Sequence, residues 1–290
     1  MIATSGSLRP KDLIEESPEL GSPPVIYRRL VEVINHPRGG AGDVANVIRQ
    51  DTALTARLLK LVNSAFFSFP KKIETVSQAV SVVGTSQVRD LALATSVTEL
   101  FGKLPPDLID AEGFWKHSLA CGVAARAIAG LRNETNVERF FVAGILHDVG
   151  RLVLVMRAPD ETRRVFERAA ERGIVLYEAE RETIGFDHGR IGGALMDHWS
   201  MPEALREAIR CHHEPAKAER FPLEAATVHV ADILANALQY GSSGERFVPP
   251  ISAGAWSKLG IDPPMISFAV EQMEREYAAS VHFLGLAQDD

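Results

Sequence analysis

Apolar residues recur along most of the chain three and four positions apart, which is the period of an amphipathic α-helix. Alternation of apolar and polar positions, the pattern of a half-buried strand, is almost absent. An early predicted helix covers residues 25–34 (VIYRRLVEVI); it follows a Pro-Pro pair and stops at NHPRGG. The pattern predicts an all-α protein.

Capping residues divide the N-terminal part into short helices. We expect Asp43 and Asp51 to be the N-caps of two consecutive helices. Gly84 is expected to end a further helix, and Thr85 and Ser86 to cap the start of the next one. These signals predict a closely packed set of helices joined by short connections.

A second helical series begins at Phe114, after the KLPPDL segment has interrupted the pattern. Its connectors, such as MP, HEP and DPP, are short, as in a compact helical bundle. We predict two helical subdomains within one module, residues 12–105 and 112–285, joined near residues 102–112. One predicted helix of the second subdomain is continuous over residues 137–156 (VERFFVAGILHDVGRLVLVM).

Composition narrows the class of protein. Of 290 residues, 46% are hydrophobic and 24% are charged, as in globular proteins, and the formal net charge of -7 disfavours a nucleic-acid binder. Cys121 and Cys211 are the two cysteines and provide no disulfide framework, so a cytoplasmic location is expected. The start, MIATSGSLRPKD, lacks the apolar core of a signal peptide, and no apolar run approaches the roughly 18 residues of a membrane span.

Side chains that can bind metals interrupt several helices that otherwise look buried. Burying such groups is costly unless each has a partner. Imidazoles and carboxylates suit Fe, Mn or Zn, and a two-ion site needs about this many ligands. The alternative is that each residue is an ordinary capped or hydrogen-bonded helix residue. The candidate ligands are His117, His147, Asp148, His188, His212, His213 and Asp232. Four further histidines are expected to be surface or structural residues: His36, His198, His229 and His282.

The order of these residues resembles the HD superfamily of metal-dependent phosphohydrolases. More closely, residues 12–285 resemble the HDOD (HD-related output) domain of bacterial signalling proteins. Four segments support this resemblance: DTALTARLLKLVNSAFFSFPKKIETVSQAVSVVGTSQVRDLAL, GILHDVGRLVL, DHGRIGGALMDHWSMPEALREAIRCHHEP and VADILAN. The resemblance implies an all-helical fold and an output or regulatory role in signal transduction.

Comparison with the related HD-GYP phosphodiesterases implies more about the site. All seven candidate ligands fall where that branch holds iron, so the resemblance implies a binuclear centre of iron or manganese with Asp148 as the bridging carboxylate. Arg151 stands where that branch has a lysine near the scissile phosphate. Two features depart from the branch: no Gly-Tyr-Pro follows HHEPAKAERFP, and Gly113, next to Glu112, replaces an expected glutamate.

Three functions remain open from the sequence. The first is a regulator that acts through a protein partner or a ligand and retains an HD-type metal site. The second is a phosphohydrolase acting on a nucleotide or another phosphoester, with Asp148 and Arg151 as catalytic residues. The third, a DNA-binding helix-turn-helix at residues 43–64, is disfavoured by the acidic charge and the apolar LLKLVNSAFF segment.

The segment FFSFPKKI places two lysines, Lys71 and Lys72, beside three phenylalanines. We expect the rings to close the core of the N-terminal subdomain and the lysines to be solvated. The alternative is a docking edge for a protein partner.

Overall fold

The computed structural model describes residues 8–15, 17, 20–64, 67, 69–101 and 104–281. None of these residues forms a β-strand, and helices account for most of them. The prediction of an all-α fold is confirmed. Across the same ranges, no helix has both the length and the apolarity that crossing a membrane requires.

Among the described residues before position 101 there are six α-helices. Their bounds are α1 (Pro10–Glu15), α2 (Val25–Asn35), α3 (Ala41–Arg49), α4 (Thr52–Val62), α5 (Val76–Val83) and α6 (Thr85–Leu100). Asp51 caps α4 as predicted, because its Oδ1 accepts the Leu54 N–H at 2.9 Å. Gly84, with φ of 100°, ends α5 and starts α6 at a single residue, a backbone conformation that glycine adopts without strain.

Two predicted caps are wrong. Gly40 is the N-cap of α3, and Asp43 lies inside the first turn, where its Oδ2 accepts the Gly40 N–H at 3.1 Å. The carboxylate therefore stabilises the helix start by reaching back from the first turn. Thr85 is the first helical residue of α6, and no side chain caps that helix, because the backbone of Gly84 already makes the turn.

Ten helices follow. Their bounds are α7 (Ala111–Leu131), α8 (Glu138–Leu146), α9 (Val149–Arg157), α10 (Pro159–Arg172), α11 (Leu176–Ile184), α12 (His188–His198), α13 (Glu203–Cys211), α14 (Pro222–Ala237), α15 (Ala253–Leu259) and α16 (Pro263–Ser280). The long helix α7 is central and packs against α8, α14 and α16.

The continuous helix predicted over residues 137–156 is interrupted at His147 and Asp148, which separate α8 from α9. The chain turns there because the His147 ring bonds the Gly144 carbonyl at 2.7 Å, and the Arg151 N–H bonds the Asp148 carbonyl at 2.8 Å. The apolar pattern continues across the turn, since both flanking helices are buried. The interruption places His147 and Asp148 at helix ends, from which their side chains reach the centre of the bundle.

One contiguous core runs through both halves of the chain, from Leu13 in α1 to Met273 in α16. Helix α6 of the first half packs against α2 and also against α8 of the second half. The Phe67 and Phe69 rings stack at 5.7 Å and pack against this core, while Lys71 and Lys72 are exposed. The division at residues 102–112 stays a prediction.

Candidate metal centre

The seven predicted ligands meet at the centre of the second half of the chain. His117 comes from α7, Asp232 from α14, and His188 is the first residue of α12. His147 and Asp148 occupy the turn between α8 and α9, and His212 and His213 follow α13 directly. Six of these side chains are buried and His213 is half-buried. Helix ends therefore supply most of the cluster.

The first group of ligand atoms surrounds Asp148. Its Oδ1 lies 2.7 Å from His188 Nε2 and 3.7 Å from His212 Nε2. His213 Nε2 lies 2.8 Å from His188 Nε2. Atoms bonded to one ion at about 2.1 Å stand roughly 3 Å apart, so these spacings are compatible with one shared cation.

The second group contains His117 and His147 and shares Asp148 with the first. His147 Nε2 lies 3.4 Å from Asp148 Oδ1 and 3.5 Å from Asp232 Oδ1. His117 Nε2 lies 3.1 Å from the same oxygen of Asp232. A carboxylate common to two ligand groups is the arrangement expected of a bridging residue between two ions.

Several inward-facing atoms lie close to other ligand atoms but form no hydrogen bond of good geometry among the described residues. They are His117 Nδ1 and Nε2, His147 Nε2, Asp148 Oδ1 and His212 Nε2. An unpaired buried polar atom costs about 1–3 kcal/mol. Four residues bearing such atoms in one cluster fit a cation that the side chains would hold. The donor set of imidazoles and carboxylates suits Fe, Mn or Zn.

Hydrogen bonds on the outer ring nitrogens point three histidines inward. His147 Nδ1 lies 2.7 Å from the Gly144 carbonyl, and His212 Nδ1 lies 2.7 Å from the Ile209 carbonyl. His188 Nδ1 lies 2.7 Å from a carboxylate oxygen of Glu180. Since these oxygens accept, each Nδ1 carries a proton, and Nε2 is the nitrogen that faces the cluster and would bind a metal once it is deprotonated.

Charges within the cluster shift its pKa values in opposite directions. Burial favours neutral His147, but Asp148 outweighs this and holds the His147 pKa well above its usual value. Burial also disfavours charged His188, as does Arg151, yet Glu180 and Asp148 raise the His188 pKa to about 9. Burial and the neighbouring His147 lower the pKa of His212 to about 3. Protons on His147 and His188 thus neutralise part of the carboxylate charge that a bound cation would otherwise neutralise.

Arg151 is buried, and its two terminal nitrogens have partners within the protein. Its Nη1 donates to the Ser243 carbonyl at 2.8 Å and to Ser243 Oγ at 2.6 Å, and lies 3.1 Å from Asp148 Oδ2. Its Nη2 lies 3.2 Å from both ring nitrogens of His188. The guanidinium therefore orients Asp148. Its role as a phosphate-binding catalytic residue stays a prediction.

A covering segment, residues 241–247, follows α14 and lies over the cluster. Within this segment Ser243 is 1% exposed, and the Ser242 N–H bonds the Gly113 carbonyl at 2.9 Å. Gly241 has a φ of 66°, and a side chain there would reach the Gly113 carbonyl. At Gly113 itself, an added Cβ would lie 2.5 Å from Asp110 Oδ2 and 3.6 Å from the Ser242 backbone nitrogen, so little room is left there for the expected glutamate. Glu112 pairs instead with Lys116 at 2.5 Å, on the surface.

Sequence reasoning missed Glu180 and Ser243. Glu180 is 1% exposed and accepts both the His188 backbone N–H and its Nδ1 at 2.7 Å. The available signal was its position: Glu180 lies one turn after buried Leu176, on the inner face of an otherwise charged helix. Ser243 gave no signal, because it belongs to an irregular segment.

The other histidines have separate positions. His229 is buried; its Nδ1 bonds the His212 carbonyl at 2.8 Å, and its Nε2 accepts the Ser252 N–H at 2.9 Å. This is a structural role that supports the backbone at His212. His36 and His198 are exposed, and His198 bonds the Gly21 carbonyl at 3.2 Å. His282 lies outside the described residues.

Comparison with known proteins adds family and fold. An uncharacterised protein of Treponema pallidum (strain Nichols) is 28% identical over 224 residues, which are 77% of this chain and 42% of that protein. The chain thus spans less than half the length of this relative. An HDOD domain protein of unknown function from Geobacter sulfurreducens superposes with a TM-score of 0.78 at 26% identity, covering 94% of this chain and 96% of that one.

A third match has the same fold at lower identity. It is a provisionally named phosphohydrolase from Shewanella amazonensis SB2B, with a TM-score of 0.71, 24% identity and coverage of 92% of this chain and 97% of that chain. The profile of the HDOD domain matches residues 20–215, more than half of the 290 residues. The chain therefore belongs to the HDOD domain family.

Proposed function

We propose that this chain is a signal-transduction output module that acts through contacts with a protein partner or a ligand and holds a divalent metal at its HD-type site. One observation carries the proposal. Seven ligand-type side chains form one buried cluster, in which five atoms of four residues make no hydrogen bond of good geometry among the described residues. A bound cation would neutralise the carboxylates and give these atoms a partner.

Burial of the cluster favours a regulatory or structural ion over a catalytic one. Asp148 is 2% exposed and His188 is fully buried. A catalytic ion needs an open position for water and substrate, whereas a structural ion is enclosed by its ligands. The bonds from Arg151 to Ser243 keep the cover in place, so a phosphoester has no direct approach in this conformation.

Asp148 is the proposed bridging ligand of a two-ion centre of iron or manganese. His188, His212 and His213 would complete one side, and His117, His147 and Asp232 the other. These donors match the imidazole and carboxylate preference of both metals. Burial raises and Arg151 lowers the pKa of Asp148, and the result lies well below its usual value, so the bridging group is ionised.

The second candidate is a metal-dependent phosphohydrolase, and the sharing of Asp148 by two ligand groups favours it. Bound metals would supply an acidified water and neutralise phosphate oxygens. Arg151 would keep Asp148 oriented, and release of Ser243 would give a phosphoester access to the centre. The substrate would be a nucleotide or another phosphoester.

The test of the metal site is metal content by mass spectrometry, on untagged protein purified anaerobically. We expect about two equivalents of iron or manganese in the wild type, and loss of metal in Asp148→Ala. Asp197→Ala is the matched control, since Asp197 lies outside the cluster and pairs with Arg206 at 2.9 Å. Wild-type protein without metal, or equal metal in both variants, would contradict the proposed site.

A hydrolysis assay separates the two candidates. The regulatory proposal predicts metal-loaded protein that does not hydrolyse bis(p-nitrophenyl) phosphate or a nucleotide panel. Turnover that is lost in Asp148→Ala and retained in Asp197→Ala would establish the phosphohydrolase instead.

A further inference from the structure

A surface cleft of about 400 Å³ lies beside the covering segment, outside the metal centre. This volume falls within the range of small-molecule sites. Its walls come from α10, α11, residues 107–108 and residues 242–247. Lining residues on which the argument depends are Phe166, Ile174, Leu176, Glu245, Arg246 and Phe247.

The cleft has a mixed lining, in which apolar side chains, two of them phenylalanines, lie beside polar and charged groups. Phe166 packs against Gly244, where an added Cβ would lie 3.1 Å from the ring. Phe247, which lines the cleft, is 43% exposed although it is apolar. A flat aromatic ligand would bury these surfaces and stack on a phenylalanine.

Arg246 is the charged residue of the cleft lining that could pair with a ligand. The acidic residues of the lining are occupied: Asp107 pairs with Arg163 at 2.7 Å, and Glu245 accepts backbone N–H groups from Leu176 at 2.7 Å and Arg246 at 2.8 Å. The guanidinium of Arg246 has no acidic partner among the described residues. An anionic group on the ligand would pair with the Arg246 guanidinium.

Two elements connect the cleft with the metal centre. Ser243, between two lining residues, accepts from Arg151, which contacts Asp148. Glu245 caps α11, the helix that carries Glu180 to His188. Two of the four walls, residues 242–247 and α11, therefore carry groups that orient metal ligands.

We infer that this cleft binds a small aromatic anion, and that its occupancy strengthens metal binding by fixing the covering segment. The ligand is a planar ring system bearing a carboxylate, sulfonate or phosphate group. Ligand and metal both stabilise the conformation in which Ser243 bonds Arg151. Their affinities are therefore reciprocal, each raising the other by the same factor. This coupling rests on the proposed metal site, whereas the binding site itself does not.

The probe is 8-anilinonaphthalene-1-sulfonate, titrated by fluorescence into the full chain. We expect Arg246→Gln to weaken binding about tenfold by removing a charge-assisted bond, and Ile174→Trp to abolish it by filling the cleft. Arg164→Gln, on the outer surface of α10, and Lys72→Gln, beside a separate apolar cleft, are controls that retain binding. Undiminished binding in Arg246→Gln, or loss in Lys72→Gln, would overturn the site.

The coupling is measured as the Mn²⁺ dissociation constant with and without saturating probe. We expect the probe to tighten Mn²⁺ binding about fivefold or more. Asp148→Asn is expected to lose Mn²⁺ but keep probe binding, so failure of the metal site is distinguished from failure of the cleft. An unchanged Mn²⁺ affinity would overturn the coupling. Displacement of the probe by AMP or by 1-naphthoate then tells phosphate ligands from carboxylate ligands.

Discussion

Replacing Glu180 with glutamine tests how the centre is organised, because Glu180 contacts a ligand from outside the cluster. Its carboxylate accepts the His188 backbone N–H and Nδ1 at 2.7 Å each. A glutamine keeps the size and one accepting oxygen but removes the charge. It leaves the bond to His188 weaker, since charge-assisted bonds are about twice as strong as neutral ones.

The expected loss of Mn²⁺ affinity for Glu180→Gln is about 10- to 100-fold, the usual effect of removing a partner that orients a metal ligand. This corresponds to about 1.4–2.8 kcal/mol. At neutral pH, weaker competition from protons partly offsets this loss of Mn²⁺ affinity. Because Glu180 helps raise the His188 pKa to about 9, its replacement also makes the ring easier to deprotonate. The loss is therefore expected to be largest near pH 8.5 and smaller at pH 6.5.

The assay is competition with a fluorescent chelator under anaerobic conditions, at both pH values. Glu178→Gln is the matched control, because Glu178 lies two positions away on the same helix and is exposed. Folding is checked by circular dichroism. An affinity of folded Glu180→Gln equal to that of Glu178→Gln at pH 8.5 would refute the orienting role of Glu180.

Three further predictions concern the wild-type metal centre, the helix packing beside it and a side-chain contact in the first half of the chain. Mn²⁺ affinity, measured by chelator competition, should rise about 100-fold from pH 6.5 to 8.5. The metal requires neutral His188, and because the His188 pKa is raised to about 9, protons compete with the metal at pH values below 9. An affinity that does not change with pH would contradict this. Gly150→Ala should destabilise the fold by about 1–3 kcal/mol in urea unfolding, since its Cβ would lie 2.0 Å from the His188 carbonyl; Gly130→Ala, with open space, should not destabilise it. Asn63→Ala should cost about 1–3 kcal/mol in the same assay, because Asn63 bonds both the N–H and the carbonyl of Ile73 at 2.7 Å; an unchanged midpoint would argue against that role.

Periodicity was sufficient to predict the helical fold and to place the candidate ligands near helix ends or centres. It did not predict the break at His147, because the residues on both sides face the core and the apolar pattern has no gap. Nor did it find Glu180, whose helix has the charge of a surface helix apart from its inner face. Convergence of ligands from separate helices depends on tertiary packing, which periodicity does not describe.

The position of the ligands depends on how closely the helices approach one another. At Gly144 an added Cβ would lie 2.6 Å from the Gly122 Cα, so α8 and α7 meet backbone to backbone. At Gly150 the same contact is made with the first turn of α12, where His188 begins. These crossings flank the His147–Asp148 turn on both sides.

A centre assembled from helix ends tolerates little displacement. Functional side chains must be held within about 0.5 Å of their working geometry, and one added methyl at either crossing shifts a helix by more than that. Small residues at the crossings therefore fix the spacing between Asp148 and His188 as directly as the ligands do. A variant at Gly144 that still folds is expected to bind Mn²⁺ more weakly than wild type, and equal affinity would show that the turn, rather than the crossing, sets the geometry of the centre.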